Sequence, residues 1–170
     1  MTNRSLQIAA QEGDRVKLML AHYNLCEFNF RTGNFVSSRY HTEQAIELFE
    51  SDRDANLVQS YGVDVGVLIF GFSAWNRCIA GFLDQGLKDA ESTVRYARSR
   101  NHSYSLALAL QFLCLVRYWR REPELLRQTT TETIARCTER AFPEVDAMVR
   151  GTHSWANAAW EIAGGYCRCD

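Results

Sequence analysis

The chain has 170 residues, of which 46% are hydrophobic, and a formal net charge of -1. That length supports one domain with a real core. Near-neutrality leaves no electrostatic footprint for a phosphate backbone or an anionic membrane, so neither nucleic acid nor membrane is expected as a direct partner. No apolar run is long enough to cross a bilayer. The opening MTNRSLQIAAQEGD has no positive segment followed by an apolar one, so no secretion signal is read and a cytoplasmic location is expected. Six cysteines then read as small hydrophobes rather than a disulfide framework.

With two prolines in the whole chain, helices can run long. The first is predicted over about Asn3 to Gln11, ending at Gly13. Asp14 can cap the next, which runs to about Arg31. Its partner spans about Asn34 to Glu50, and a linker follows from about Ser51 to Gly62. A helix from about Asp64 to Ala80 is apolar nearly all round (Val67, Leu68, Ile69, Phe72, Trp75), which calls for burial on more than one side. A turn at Gly81-Phe82-Leu83-Asp84 leads to an amphipathic helix from about Gln85 to Arg100, with Leu87, Ala90, Val94 and Ala97 on one face. Ser103 reads as the cap of a helix over Tyr104 to Arg120. Pro123 suits the first turn of a helix reaching Ala141. Phe142-Pro143 breaks that helix, and a last one covers about Glu144 to Ala163, stopping at Gly164-Gly165. Strand patterns are absent.

These helices repeat. Aligning Gly33, Gly81 and Arg121 as turn positions puts small residues in register. Cys26, Ala74 and Cys114 lie seven before the turn; Thr42, Ala90 and Thr130 lie nine after it; Ala45, Thr93 and Thr133 lie twelve after it. Small residues at fixed places are what two helices need to approach closely. The expected fold is therefore all-α, a superhelical stack of about seven helices in antiparallel hairpins. It forms a single domain over 1–170, with hairpins at 14–50, 62–100 and 103–141 and partial repeats at 1–13 and 144–165. The first helix reads as a second helix of a hairpin without its first. The last reads as a first helix without its second, so either a fragment of a longer array or a chain that covers its ends by association is expected.

Small residues flanking a turn glycine resemble the tetratricopeptide repeat, although the intervals exceed the usual length of about 34 residues. The elements YGVDVGV, A-W-x(5)-G-F-x-D-Q-G-L, RYARSRNHSYSLALAL and VRYWRRE, in that order, are similar to the C-terminal repeat region of bacterial signalling ATPases fused to nucleotide cyclase or winged-helix regulator domains. The resemblance covers about residues 6 to 163. It implies a regulatory module without catalysis of its own. No G-x(4)-G-K-S/T phosphate loop is present, so ATPase activity is not carried over.

The resemblance also implies a concave groove lined by the first helix of each hairpin. By register this brings together Leu20, Tyr23, Glu27, Phe30 and Arg31, then Leu68, Gly71, Trp75, Cys78 and Ile79, then Leu108, Gln111, Leu115, Tyr118 and Trp119. Tyr23, Glu27, Arg31, Trp75, Gln111, Tyr118 and Trp119 are the binding candidates, because polar groups on a buried helix need a reason. The expected partner is a peptide or a domain, including an effector domain of the same protein. The alternatives are a small-molecule inducer in the groove, and a homodimer through Trp155 and Trp160 of the last helix. No cofactor, metal or catalytic residue is assigned. His22, His41, His102 and His153 share no metal spacing, and Cys167-x-Cys169 near His153 is the nearest approach to one. His22 and Cys26, four apart on one helix face, have the residue types of a nucleophile-base pair, and a structural role is expected for them. Arg117, Arg120, Arg121 and Arg127 read as a solvated helix end rather than a patch for an acidic partner.

Overall fold

A computed structural model describes residues 2–166, and the side-chain surroundings of residues 4–162. The described residues form nine helices and no strand: α1 (Thr2–Glu12), α2 (Arg15–Arg31), α3 (Phe35–Leu48), α4 (Leu57–Tyr61), α5 (Val65–Ile79), α6 (Leu83–Ser99), α7 (Ser103–Trp119), α8 (Pro123–Arg140) and α9 (Pro143–Tyr166). The count exceeds the expected seven, in part because the linker carries the short α4. Further boundaries differ from expectation. α6 begins at Leu83, so Leu83 and Asp84 of the expected turn form its first residues. His102 rather than Ser103 caps α7, its Nδ1 accepting from the Ser105 amide at 3.3 Å. And α9 runs through Gly164-Gly165 to Tyr166 instead of stopping before them. Asp14, Asn34 and Asp64 cap α2, α3 and α5, each accepting from an amide of the first turn.

The three aligned turns share one backbone conformation. Gly33, Gly81 and Arg121 all have positive φ, at 80°, 91° and 56°. In each, the next residue's amide reaches back to the carbonyl five positions before it: Asn34 to Asn29 at 2.8 Å, Phe82 to Arg77 at 2.9 Å, Glu122 to Arg117 at 3.2 Å. This is the left-handed helix end that satisfies orphan carbonyls and reverses the chain within three residues. Each helix therefore folds back on its predecessor, pairing α2 with α3, α5 with α6 and α7 with α8.

The registers of small residues lie at the crossings. Cys26, Ala74 and Cys114 are buried, as are Thr42, Ala90 and Thr130, and Ala45, Thr93 and Thr133. At Gly86 an added Cβ would lie 2.9 Å from the Ala74 carbonyl and 2.3 Å from Cys78 Sγ. Between successive hairpins, α5 packs on α2 and α3, and α7 packs on α5 and α6. This explains why α5 is apolar on several sides. α9 packs on α7 and α8.

Polar ties set the spacing. Asn76 Nδ2 donates to Ser38 Oγ and Thr42 Oγ1, each at 3.0 Å, joining α5 to α3. Asp64 is a junction of three helices. It accepts from Tyr96 Oη at 3.1 Å and from Arg100 Nε at 3.2 Å, and its amide donates to Ser105 Oγ at 2.8 Å. The linker is held down by Asp54, whose carboxylate takes Arg15 Nη1 at 2.9 Å and the Glu50 amide at 2.8 Å. No helix of the described residues is long and apolar enough to cross a membrane.

Candidate functional site

Most of the residues placed by register meet in one concavity. The first helices α2, α5 and α7, together with α9, face a concavity of about 770 Å3. Tyr23, Glu27, Arg31, Trp75, Gln111 and Trp119 all line it. Tyr118 does not. Its ring packs edge-on against Trp155 at 4.9 Å, inside the cluster shared by α7, α8 and α9. Of the wider register, Phe30, Leu68, Ile79 and Leu108 line the cavity, while Leu20, Gly71, Cys78, Leu115 and Tyr118 do not. Gly71 lies under the Phe112 ring, where a Cβ would come within 2.3 Å of ring carbon.

An aromatic wall dominates. Trp75 contacts Phe112 at 4.5 Å, Phe72 at 5.5 Å, Phe30 at 5.6 Å and Trp119 at 6.1 Å between ring centres. These rings come from α2, α5 and α7 and are tilted or edge-to-face, the favoured arrangements. The Trp75 indole N–H is spent inside the protein, donating to the Phe112 carbonyl at 3.0 Å.

The polar wall is a chain on α2 with spacing of four. Tyr23 Oη donates to Glu27 Oε2 at 3.0 Å, and Arg31 donates to Glu27 Oε1 through Nε at 2.9 Å and Nη2 at 2.7 Å. Burial, then the adjacent Glu27 charge, pushes the Tyr23 phenol well above its ordinary value, so it remains a donor. Gln111, on α7, donates through Nε2 to Met148 Sδ at 3.1 Å, and its buried Oε1 has no partner.

Register alone missed half of the wall. Tyr61 and Val63 enter from α4 and its exit, Tyr104 from the start of α7, and Glu144, Val145 and Met148 from α9. The last helix, expected to be a first helix without its second, packs on α7 and α8. Val145 is fully buried and Trp155 packs on Tyr118, while Met148, Trp160 and Ile162 are exposed.

The remaining candidates separate. His22 does not pair with Cys26: its Nδ1 faces Nδ1 of His41 at 3.0 Å, whereas Cys26 Sγ accepts from Thr42 Oγ1 at 2.9 Å. Burial pushes the Cys26 thiol up, against nucleophilic use. Among the described residues no group of three or more His, Cys, Asp or Glu is placed to hold a metal. Cys167 and Cys169 lie outside the described residues. Arg117, Arg120 and Arg127 pair with Glu91, Asp84 and Glu124, at 3.7, 2.6 and 3.4 Å. Those charges are thus internally balanced. No family model matches the chain, and no curated protein matches it.

Proposed function

We propose that this chain is a non-catalytic binding module of tetratricopeptide-like stacked hairpins, and that a small organic ligand in the α2, α5, α7 and α9 cavity is what it senses. One observation carries this reading. Six residues chosen for polarity or aromaticity on first helices converge on a single concavity of about 770 Å3. That volume falls in the ordinary range for small-molecule sites, roughly 300 to 1,000 Å3. The lining fits the same pattern, with apolar rings over most of the wall and a few polar groups to fix orientation. The order of helix contacts supports the stacked-hairpin reading, since α2 touches α5, α5 touches α7, and α7 touches α9.

A peptide partner is the second reading. It is favoured by the span of the cavity across four successive first helices, the length an extended segment would use. In either case the module would serve a larger bacterial signalling protein, passing ligand binding to an effector domain through the packing of adjacent hairpins.

A thermal-shift screen with a metabolite panel, followed by calorimetry, tests the reading. A true ligand raises Tm, and Trp119→Ala or Glu27→Gln weakens it at least tenfold while the circular dichroism of the variant stays unchanged. Ligands that bind both variants as tightly as the parent would place the site elsewhere. Stabilisation by peptides alone would favour the second reading.

A further inference from the structure

The cavity holds one side chain that the protein itself does not satisfy. Gln111 is only 9% exposed. Its Nε2 donates to a thioether, Met148 Sδ, which is a weak acceptor. Its Oε1 is buried with no hydrogen-bond partner. A buried carboxamide in that state is unfavourable. Three donors of the same wall are already in use, Trp75 on the Phe112 carbonyl and Tyr23 and Arg31 on Glu27. One amide edge is therefore left with a free acceptor beside a poorly engaged donor. Trp75 and Phe112, in ring contact, stand next to it in the same wall. Met148 is 56% exposed and unbranched, so its side chain can leave the amide without opening the core.

Resting on the cavity reading above, we propose that the ligand is a planar heteroaromatic molecule presenting an N–H and an adjacent carbonyl or ring nitrogen on one edge, as lactams and nucleobases do. That edge pairs with both ends of the Gln111 amide and displaces the Met148 thioether. Its ring lies against the aromatic wall around Trp75. A carboxamide meets such an edge in two parallel hydrogen bonds, the geometry by which glutamine side chains read adenine. The chemistry selects strongly. A molecule of the same shape without the donor leaves the Gln111 carbonyl unpaired, and buried polar sites reject such analogues far more firmly than apolar pockets reject a missing methylene.

The test uses 2-quinolone, which has a lactam edge, and 1-methyl-2-quinolone, in which a methyl replaces the donor. The full chain is labelled at its methionine methyl carbons and titrated by NMR. Met148 reports on the cavity, and Met19, buried in the separate cluster of α2, α3 and α5, is the internal control. The expected result is a shift at Met148 and not at Met19, with 2-quinolone binding at least tenfold tighter than its methylated analogue. In Gln111→Leu the two probes should bind alike; Gln111→Met, closer in shape, repeats the comparison if the leucine variant does not fold. Equal affinity of both probes for the parent, with Met148 shifting, would overturn the pairing and leave the cavity reading standing. Silence at Met148 with both probes would overturn the inference, and silence together with a failed metabolite screen would remove the cavity reading too.

Discussion

Nδ1 of His22 lies 3.0 Å from Nδ1 of His41, across the α2–α3 interface. Two imidazoles in this contact share one hydrogen between two nitrogens, so at least one ring nitrogen must be unprotonated. Burial depresses the affinity of His22 for a proton and His41 adds to the effect; burial alone depresses that of His41. Both folded values lie below the ordinary one of 6.5. The unfolded chain therefore takes up protons first as pH falls, and stability drops below about pH 6.5. Urea unfolding at pH 7.5 and 5.5 should show a lower midpoint at the acid value. His41→Gln should flatten that dependence, and an unchanged slope would dismiss the pair as its source.

The linker should loosen when its anchor is removed. Burial opposes ionisation of Asp54, yet the hydrogen bonds from Arg15 and from the Glu50 amide hold its carboxyl below the ordinary value. Asp54→Asn removes the buried carboxylate partner of Arg15, leaving the more exposed Glu50 at 3.4 Å, and is expected to cost about 1–3 kcal/mol. Hydrogen exchange should rise in the segment 49–56, and an unaltered exchange pattern there would contradict the anchoring role. This contribution is lost only as pH falls through the carboxylate range, well below the histidine window.

Three backbone positions predict opposite signs. Gly86→Ala drives a methyl onto Cys78 Sγ and the Ala74 carbonyl, and overpacking of that kind costs about 1–3 kcal/mol. Gly151, inside α9, has nothing within 4 Å of an added Cβ, so Gly151→Ala should stabilise by about 0.5–1 kcal/mol. Arg121 occupies the left-handed turn position that glycine fills in the other two hairpins, at φ 56°. Arg121→Gly should therefore stabilise by roughly 0.5–1 kcal/mol. Thermal unfolding of the three variants checks all three signs.

The buried thiols should be unreactive in the folded state. Burial pushes Cys78 up to about 11 and Cys114 up to about 12, and raises Cys26 and Cys137 as well. Alkylation at pH 8 followed by peptide mapping should leave these four unmodified until denaturant is added. Rapid labelling of Cys26 in native buffer would show that α2 and α3 separate on that timescale.

The hairpins were legible because each turn and crossing is written in local residue types. Gly33 and Gly81 mark left-handed helix ends, and Arg121 was found at the third by register alone. The buried set at Cys26, Ala74 and Cys114 follows from the same alignment. Helix ends were less legible. His102 took the cap from Ser103 because its ring nitrogen reaches the Ser105 amide, a choice that side-chain geometry makes and residue type does not. The short α4 carries too few residues for a periodic pattern.

The candidate site divides along the same line. Tyr23, Glu27 and Arg31 share a helix face because they are four residues apart, and that spacing alone brings their side chains into contact. Tyr118 was placed with them by register, but in the folded chain Trp155 of α9 draws its ring into another cluster.

The sequence by itself determined helices, hairpins and the residues at which they cross, since these depend on neighbours a few positions apart. Only the tertiary structure decided the cavity. Its far wall comes from α4, the start of α7 and α9, and its unsatisfied amide at Gln111 comes from a contact with Met148. Long-range packing decides which faces are covered and which polar groups are left without partners, and the spacing of residues along the chain does not encode that.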